Sequence, residues 1–309
     1  MIKYVLKRVL WVIPVMVVVV VVVYTLTYHI PGSPVVSRNI AEATGLRKPF
    51  IVQLSTYLWN LCTKFDLGMS YLTTYSVTAE LITRVPITLT ISMLSILLTL
   101  IIGIPLGIQS SLNQNSVLDI SLTSLSLISS AIPSYVLALV GALVFGVYLQ
   151  WLPVARLDSW SSWILPVICS SGIGIAVCTR MTRTAMLEVI RQDYIRMARA
   201  KGLTENKIVF RHAFTNCLIT LSTAIGSQIA VIFTSTIIIE TIFAIPGMGY
   251  YLFDGINQRD YPVINGVVVV ISFLVCLINL LIDITYAFID PRIRTLYASH
   301  KKQGEKEIT

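Results

Sequence analysis

Charge is what this sequence has least of. Of its 309 residues only 12% are charged, while 55% are hydrophobic; a soluble domain carries about 25% charged residues. A water-soluble globule of this length is therefore excluded, and most of the surface must face lipid or neighbouring helices. Histidine is scarce too: His29, His212 and His300 stand on three different segments. No HExxH or GxSxG occurs, so the chain lacks the metal-binding or nucleophile–base sets that an enzyme within the membrane would need. The cysteines Cys62, Cys169, Cys178, Cys217 and Cys276 are scattered without a CxxC or His-rich spacing. That argues against a disulfide framework or a metal site and leaves them as small apolar side chains. Acidic groups are rare near the apolar runs, where only Asp119, Glu240 and Asp283 occur, each close to a helix end. A carrier driven by protons or sodium would bury such groups nearer mid-membrane, so the energy source is expected outside this chain. The net charge of +8 does not point to nucleic acid, because the basic residues flank apolar segments instead of gathering on one soluble domain.

What is present is a set of long apolar runs. Six are long enough to cross hydrocarbon as helices: Val9–Tyr28, Ile87–Ile108, Ile120–Tyr148, Ile164–Met181, Leu218–Ile239 and Val263–Ala287. The first follows Lys3, Lys7 and Arg8 and has no small-residue cleavage site after it, so it reads as a retained helix. The third is overlong, and Pro133 is expected to bend it. With the N-terminus placed inside, 16 of the 23 Lys and Arg fall in inside segments and 7 outside. The cluster between Arg180 and Arg211 weighs most, and both termini are expected to be cytoplasmic. Trp151, Trp160 and Trp163, with Tyr148, Tyr250 and Tyr251, fit an aromatic belt at the outer interface.

Three of the runs carry small and hydroxyl side chains, which let helices approach closely. Ser92 and Ser95 lie on the second, with Gly103 and Gly107 as a GxxxG; Ser171 and Gly172 lie on the fourth; Ser222 and Gly226 lie on the fifth. These faces either pack against each other or line a pathway.

The most informative stretch runs from Arg180 to Arg211. Leu187, Ile190, Tyr194 and Met197 recur at helical spacing, with Arg196 and Arg199 projecting elsewhere. Arg199 and Lys201 precede Gly202, a natural helix stop, and Thr204 with Glu205 can start a second short helix. An ordered, basic helix–Gly–helix element suits a protein partner better than lipid headgroups, which would not need the Gly202 break.

Asp193-Tyr194-Ile195-Arg196-Met197-Ala198-Arg199-Ala200-Lys201-Gly202-Leu203 resembles the cytoplasmic EAA loop of ABC-importer permeases, in the form found in dipeptide, oligopeptide and nickel permeases. Arg211-His212-Ala213, Glu240-Thr241-Ile242-Phe243, Pro246-Gly247-Met248-Gly249, Arg259-Asp260-Tyr261-Pro262 and Asp290-Pro291-Arg292 resemble further family segments in the family's order. So do Pro31-Gly32-Ser33-Pro34 and Asp66-Leu67-Gly68. Ser33 departs from the usual Asp, Arg196 stands at the general pattern's Glu, and the closing Leu-Pro is absent.

The resemblance implies an all-α integral membrane protein of six transmembrane helices with the type I importer permease fold, its first helix wrapping a five-helix core. It implies a cytoplasmic end and first helix over 1–30, an extracytoplasmic subdomain over 31–86, a permease core over 87–287 with a coupling loop over 183–217, and a cytoplasmic tail over 288–309. It also implies a second homologous permease, two ATPase subunits that carry ATP and magnesium, and an extracytoplasmic substrate-binding protein. This chain itself would hold no cofactor. Asp193, Tyr194, Arg196, Ala198, Arg199, Lys201, Gly202 and Arg211 would form the ATPase contact. The substrate would be a peptide, with nickel or a metal chelate as the alternative, and the location a bacterial-type inner membrane.

Overall fold

The computed structural model describes residues 2–30, 48–155 and 157–289. Pro31–Pro34, Arg156, Asp290–Arg292, His300 and the rest of the tail lie outside the described residues.

Helix α1 (Ile2–His29) contains the valine run. Valine is an indifferent helix former in water, but in hydrocarbon the backbone has only its own carbonyls to bond. Helix α2 (Phe50–Lys64) ends at Phe65 in the left-handed region, φ 51°. Helix α3 (Val77–Leu112) has 36 residues and starts at Val77 instead of Ile87. At 1.5 Å per residue it is about 54 Å long and extends well beyond a hydrocarbon core of about 30 Å.

The third apolar run is two helices, α4 (Val117–Ala131) and α5 (Ser134–Gly141), the latter continuing as a wide turn of helix to Tyr148. The two halves meet at 97°. The cause is Pro133, which lacks an N–H and holds the preceding Ile132 extended at φ −90°, ψ 122°. Helix α6 (Ile164–Ile190) follows, then α7 (Asp193–Ala200) and α8 (Glu205–Lys207). Helices α9 (Thr215–Ile242), α10 (Met248–Gln258) and α11 (Tyr261–Ile289) complete the chain. Among the described residues five helices are long and apolar enough to span a membrane, and the bent pair brings the spans to six.

The centre of the bundle is the seam between α3 and α6, and its glycines explain the close approach. A Cβ on Gly107 would stand 2.5 Å from Thr182 Cβ, and one on Gly103 2.8 Å from Cys178 Cβ. Helix α1 stays at the periphery. Leu10, Trp11, Val18 and Leu26 are exposed, and its partner is α11, through Thr27 Oγ1 donating to Asn265 Oδ1 at 3.0 Å and Arg8 paired with Asp283 at 2.7 Å.

One end of the bundle is closed by the quoted motifs acting on each other. The Gly68 amide donates to Asp66 Oδ1 at 2.9 Å, and at φ +94° Gly68 turns the chain against Pro262. The Ser70 hydroxyl and the Tyr71 amide donate to the buried Asp260 carboxylate at 2.5 and 3.1 Å. Asp66-Leu67-Gly68 and Arg259-Asp260-Tyr261-Pro262 are thus two halves of one joint.

Candidate functional site

Helix α7 is short, yet both its ends are well defined. Gln192 precedes it in extended conformation, Asp193 sits in its first turn and Arg199 in its last, each on the side the helix dipole favours. At the far end the Gly202 amide donates to Arg199 O at 2.9 Å and the Leu203 amide to Ala198 O at 3.4 Å, while Gly202 takes φ +74°. These are the two bonds of a Schellman stop, whose left-handed residue favours glycine. Open space surrounds the position where a Cβ would stand, so backbone conformation alone asks for glycine here. Across the turn Arg199 grips Glu205 at 2.8 and 3.3 Å.

The face that α7 buries differs from the expected one. Ile195 and Ala198 are buried, packed with Ile108 of α3, Ala185 and Met186 of α6, and Ile208, Val209 and Ala213 of the following segment. Tyr194 and Met197 are 43% and 60% exposed. Leu187 and Ile190 belong to α6, and the chain breaks helix at Arg191 and Gln192, so the periodicity that linked all four residues crosses a bend. The second helix is not short either: Glu205–Lys207 continues through a wide turn, Ile208–Phe214, into α9. Thr204 supplies no side-chain cap to it. Asp193, Tyr194, Arg196, Arg199, Lys201, Gly202 and Arg211 thus all lie exposed on an element whose core contact is made by Ile195 and Ala198.

The hydroxyl and glycine faces lie largely inside the subunit. Ser92, Ser95 and Ser171 are at most 2% exposed, and Gly226 is buried. Ser95 donates to Val167 O at 3.4 Å, and Ser170 meets Thr236 at 3.1 Å. Gly172 and Ser222 are half-buried. The first four therefore pack helices together in this conformation.

Two contacts escaped sequence reasoning. Asp119 forms a bidentate pair with Arg183, Nε to Oδ1 at 2.6 Å and Nη2 to Oδ2 at 2.8 Å. Glu240, fully buried, accepts the Gly249 amide at 2.6 Å and so caps α10. The spacing from Glu240 to Gly249 held that signal, since a carboxylate one loop before a helix start suits its free amides. On α10 the half-buried Tyr251, its phenol pushed up to about 12 by burial of the hydroxyl, lies under the Arg84 guanidinium at 4.4 Å.

A bundle of about six spans bearing one ordered, partner-ready basic element is the form of a transport permease. Residues 100–295 match the family described as binding-protein-dependent transport system inner membrane component, and the chain belongs to that family. A dipeptide transport system permease protein of Bacillus subtilis is 36% identical over 98% of this chain and 100% of its own length. A glutathione transport system permease protein of Pectobacterium atrosepticum is 34% identical over 95% of this chain and 99% of its own. Among solved structures, a chain of the inward-facing MetNI methionine ABC transporter superposes with a TM-score of 0.60 at 22% identity, covering 69% of this chain and 97% of that one. The protein is a multi-pass inner-membrane component of an ABC importer, and its fold is that of ABC transporter permeases.

Proposed function

We propose that this chain is one of two permease subunits of a peptide importer, forming half of the route across the membrane. Separate ATPase subunits supply the energy and an extracytoplasmic binding protein delivers the peptide. The full-length relatives named for dipeptide and glutathione transport support the substrate class. The observation that carries the mechanism is α7, a basic helix stopped at Gly202 and standing on a core that three other elements share. A push on Tyr194, Arg196 or Met197 is passed to α3, α6 and α9 together, because close-packed interiors transmit strain.

In this reading Asp193, Tyr194, Arg196, Arg199, Lys201 and Arg211 meet the ATPase, Ala198 seats the helix and Gly202 shapes its end, within a coupling loop over 183–217. Residues 1–30 hold the cytoplasmic end and first span, 31–86 an extracytoplasmic subdomain, 87–287 the core, and 288–309 a cytoplasmic tail. The route runs along the glycine- and hydroxyl-bearing helices, with Gly172 and Ser222 as the positions nearest to it.

The test is uptake into vesicles. This chain alone should import nothing, whereas the chain with a homologous permease, an ATPase pair and a dipeptide-loaded binding protein should accumulate dipeptide when ATP is present. Import of nickel in place of dipeptide would move the substrate to metal or metal chelate. Import by the chain alone would defeat the proposal.

A further inference from the structure

A single carboxylate gathers three parts of the chain at the α7 end of the bundle. Asp119 stands in the first turn of α4 and is 2% exposed. Its Oδ1 accepts from the Ser110 hydroxyl, in the last turn of α3, and from Arg183 Nε at 2.6 Å. Its Oδ2 accepts from the Asn115 amide at 2.9 Å and from Arg183 Nη2 at 2.8 Å. Both oxygens are thereby occupied. Nearby, Arg191, the residue after α6, donates to Gln114 in the Asn113–Ser116 turn at 3.5 Å.

Arg183 sits about two turns before the end of α6 at Ile190, just ahead of α7. The residues that follow it, Ala185 and Met186, belong to the core on which Ile195 and Ala198 rest. The segment of α6 that holds Asp119 is therefore the segment that seats α7. Helix α4 then leads through the 97° bend into α5. There Ala138 and Ala142 are buried with Leu165 and Val167 at the start of α6, and with Phe243 and Ile245 beyond the end of α9. The bent pair is thus tied to α6 at both ends, by an ion pair beside α7 and by apolar packing at the opposite end.

We infer that the Asp119–Arg183 pair is a positioning link that makes α4 and α5 move with α6, carrying displacement of α7 to the other end of the bundle. The inference rests on the reading of α7 as the ATPase contact. Its physical basis is direction. A bidentate guanidinium–carboxylate pair adds to close packing a tie of fixed geometry that resists both sliding and rotation. Folding alone gives little reason for the pair, because well-packed apolar side chains in place of a buried ion pair often serve stability as well or better. Spatial intermediacy is not coupling, so the test must measure coupling itself.

That test uses the complete transporter in vesicles, with ATP hydrolysis and dipeptide uptake read in one preparation, for Asp119→Asn, Arg183→Gln and the double variant. Each single change should lower uptake per ATP about tenfold, within the usual range of coupling free energies. Hydrolysis and recovery of the assembled complex should persist. The double variant should be no worse than either single one, as expected for two groups acting through one contact, and D119R/R183D should restore part of the loss. Unchanged uptake per ATP in both single variants overturns the inference. So does uptake that falls only in step with lost assembly, which would make the pair a structural pin. A wild-type complex that imports no dipeptide defeats the proposed function instead, so the two failures are told apart.

Discussion

A carboxylate enclosed among membrane helices must be matched by a donor or a cation. Asp119 has Arg183, Asp283 has Arg8, and Glu240 has the start of α10. Glu240 shows how closely sequence and geometry correspond. Its Oε2 takes the Gly249 amide while Thr88 Oγ1 takes the Met248 amide at 3.0 Å. A Cβ on Gly247 would run into the Glu240 carboxyl, and one on Gly249 into the Ile237 carbonyl. The spacing of Glu240, Gly247 and Gly249 is therefore a packing requirement. Glu240→Ala should leave the buried helix start without its acceptor and lower stability by about 1–3 kcal/mol. Glu240→Gln, which keeps an acceptor oxygen, should lose less. Heat-induced exposure of the buried thiols Cys169, Cys178 and Cys217 to a fluorescent maleimide reads the midpoint. An alanine variant that melts with the wild type would remove the cap from the account.

Among the elements, the spans were legible because lipid demands long apolar helices, and α7 with its stop was legible because Gly202 and its flanking charges mark a helix end. The buried face of α7 was not. Tyr194 and Met197 continue the apolar spacing of Leu187 and Ile190, but Gln192 is extended and resets the helix phase, so Ile195 and Ala198 turn inward. Nor did the apolar count of the third run show a right-angle bend, although Pro133 marked its place. The hydroxyl faces of α3 and α6 carried equal signal for packing and for lining, and in this conformation Ser92, Ser95 and Ser171 are buried. Gly202 gives the element its sharpest test. Its φ of +74° costs a non-glycine residue about 1–2 kcal/mol, with Asn the best tolerated, and the space around it is open. Gly202→Val should insert normally yet lower ATP-driven uptake severalfold, while Gly202→Asn should retain most of it. Equal uptake for valine and glycine would show that the helix stop is unimportant to coupling.

At the scale of the whole molecule, helix contacts fix which ends lie together without reference to charge. Helices α3 and α6 run parallel, since Gly174 meets Thr99, Cys178 meets Gly103 and Thr182 meets Gly107. Helices α1 and α11 run antiparallel, since Arg8 meets Asp283 and Thr27 meets Asn265. The start of α11 joins the 66–76 turn through Asp260, and Gly266 packs against Val77 at the start of α3. The start of α1 therefore groups with the ends of α3, α6 and α11 and with α7, and the starts of α3 and α11 group with α2 and α10. Six crossings satisfy both sets of contacts. The positive-inside rule predicts that the α7 group faces the cytoplasm, because 16 of the 23 Lys and Arg lie in residues 1–8, in 180–211 and in the sequence beyond Ala287. Cys62 on α2 is an exposed thiol, whereas Cys169, Cys178 and Cys217 are buried. In intact cells a membrane-impermeant maleimide should label Cys62 of the unaltered chain. With Cys62→Ser as background, Asn206→Cys should react only after the membrane is opened, and Ser161→Cys without opening. Labelling of Asn206→Cys from outside would invert the orientation, and labelling of all three from outside would break the six-crossing bundle on which the coupling argument stands.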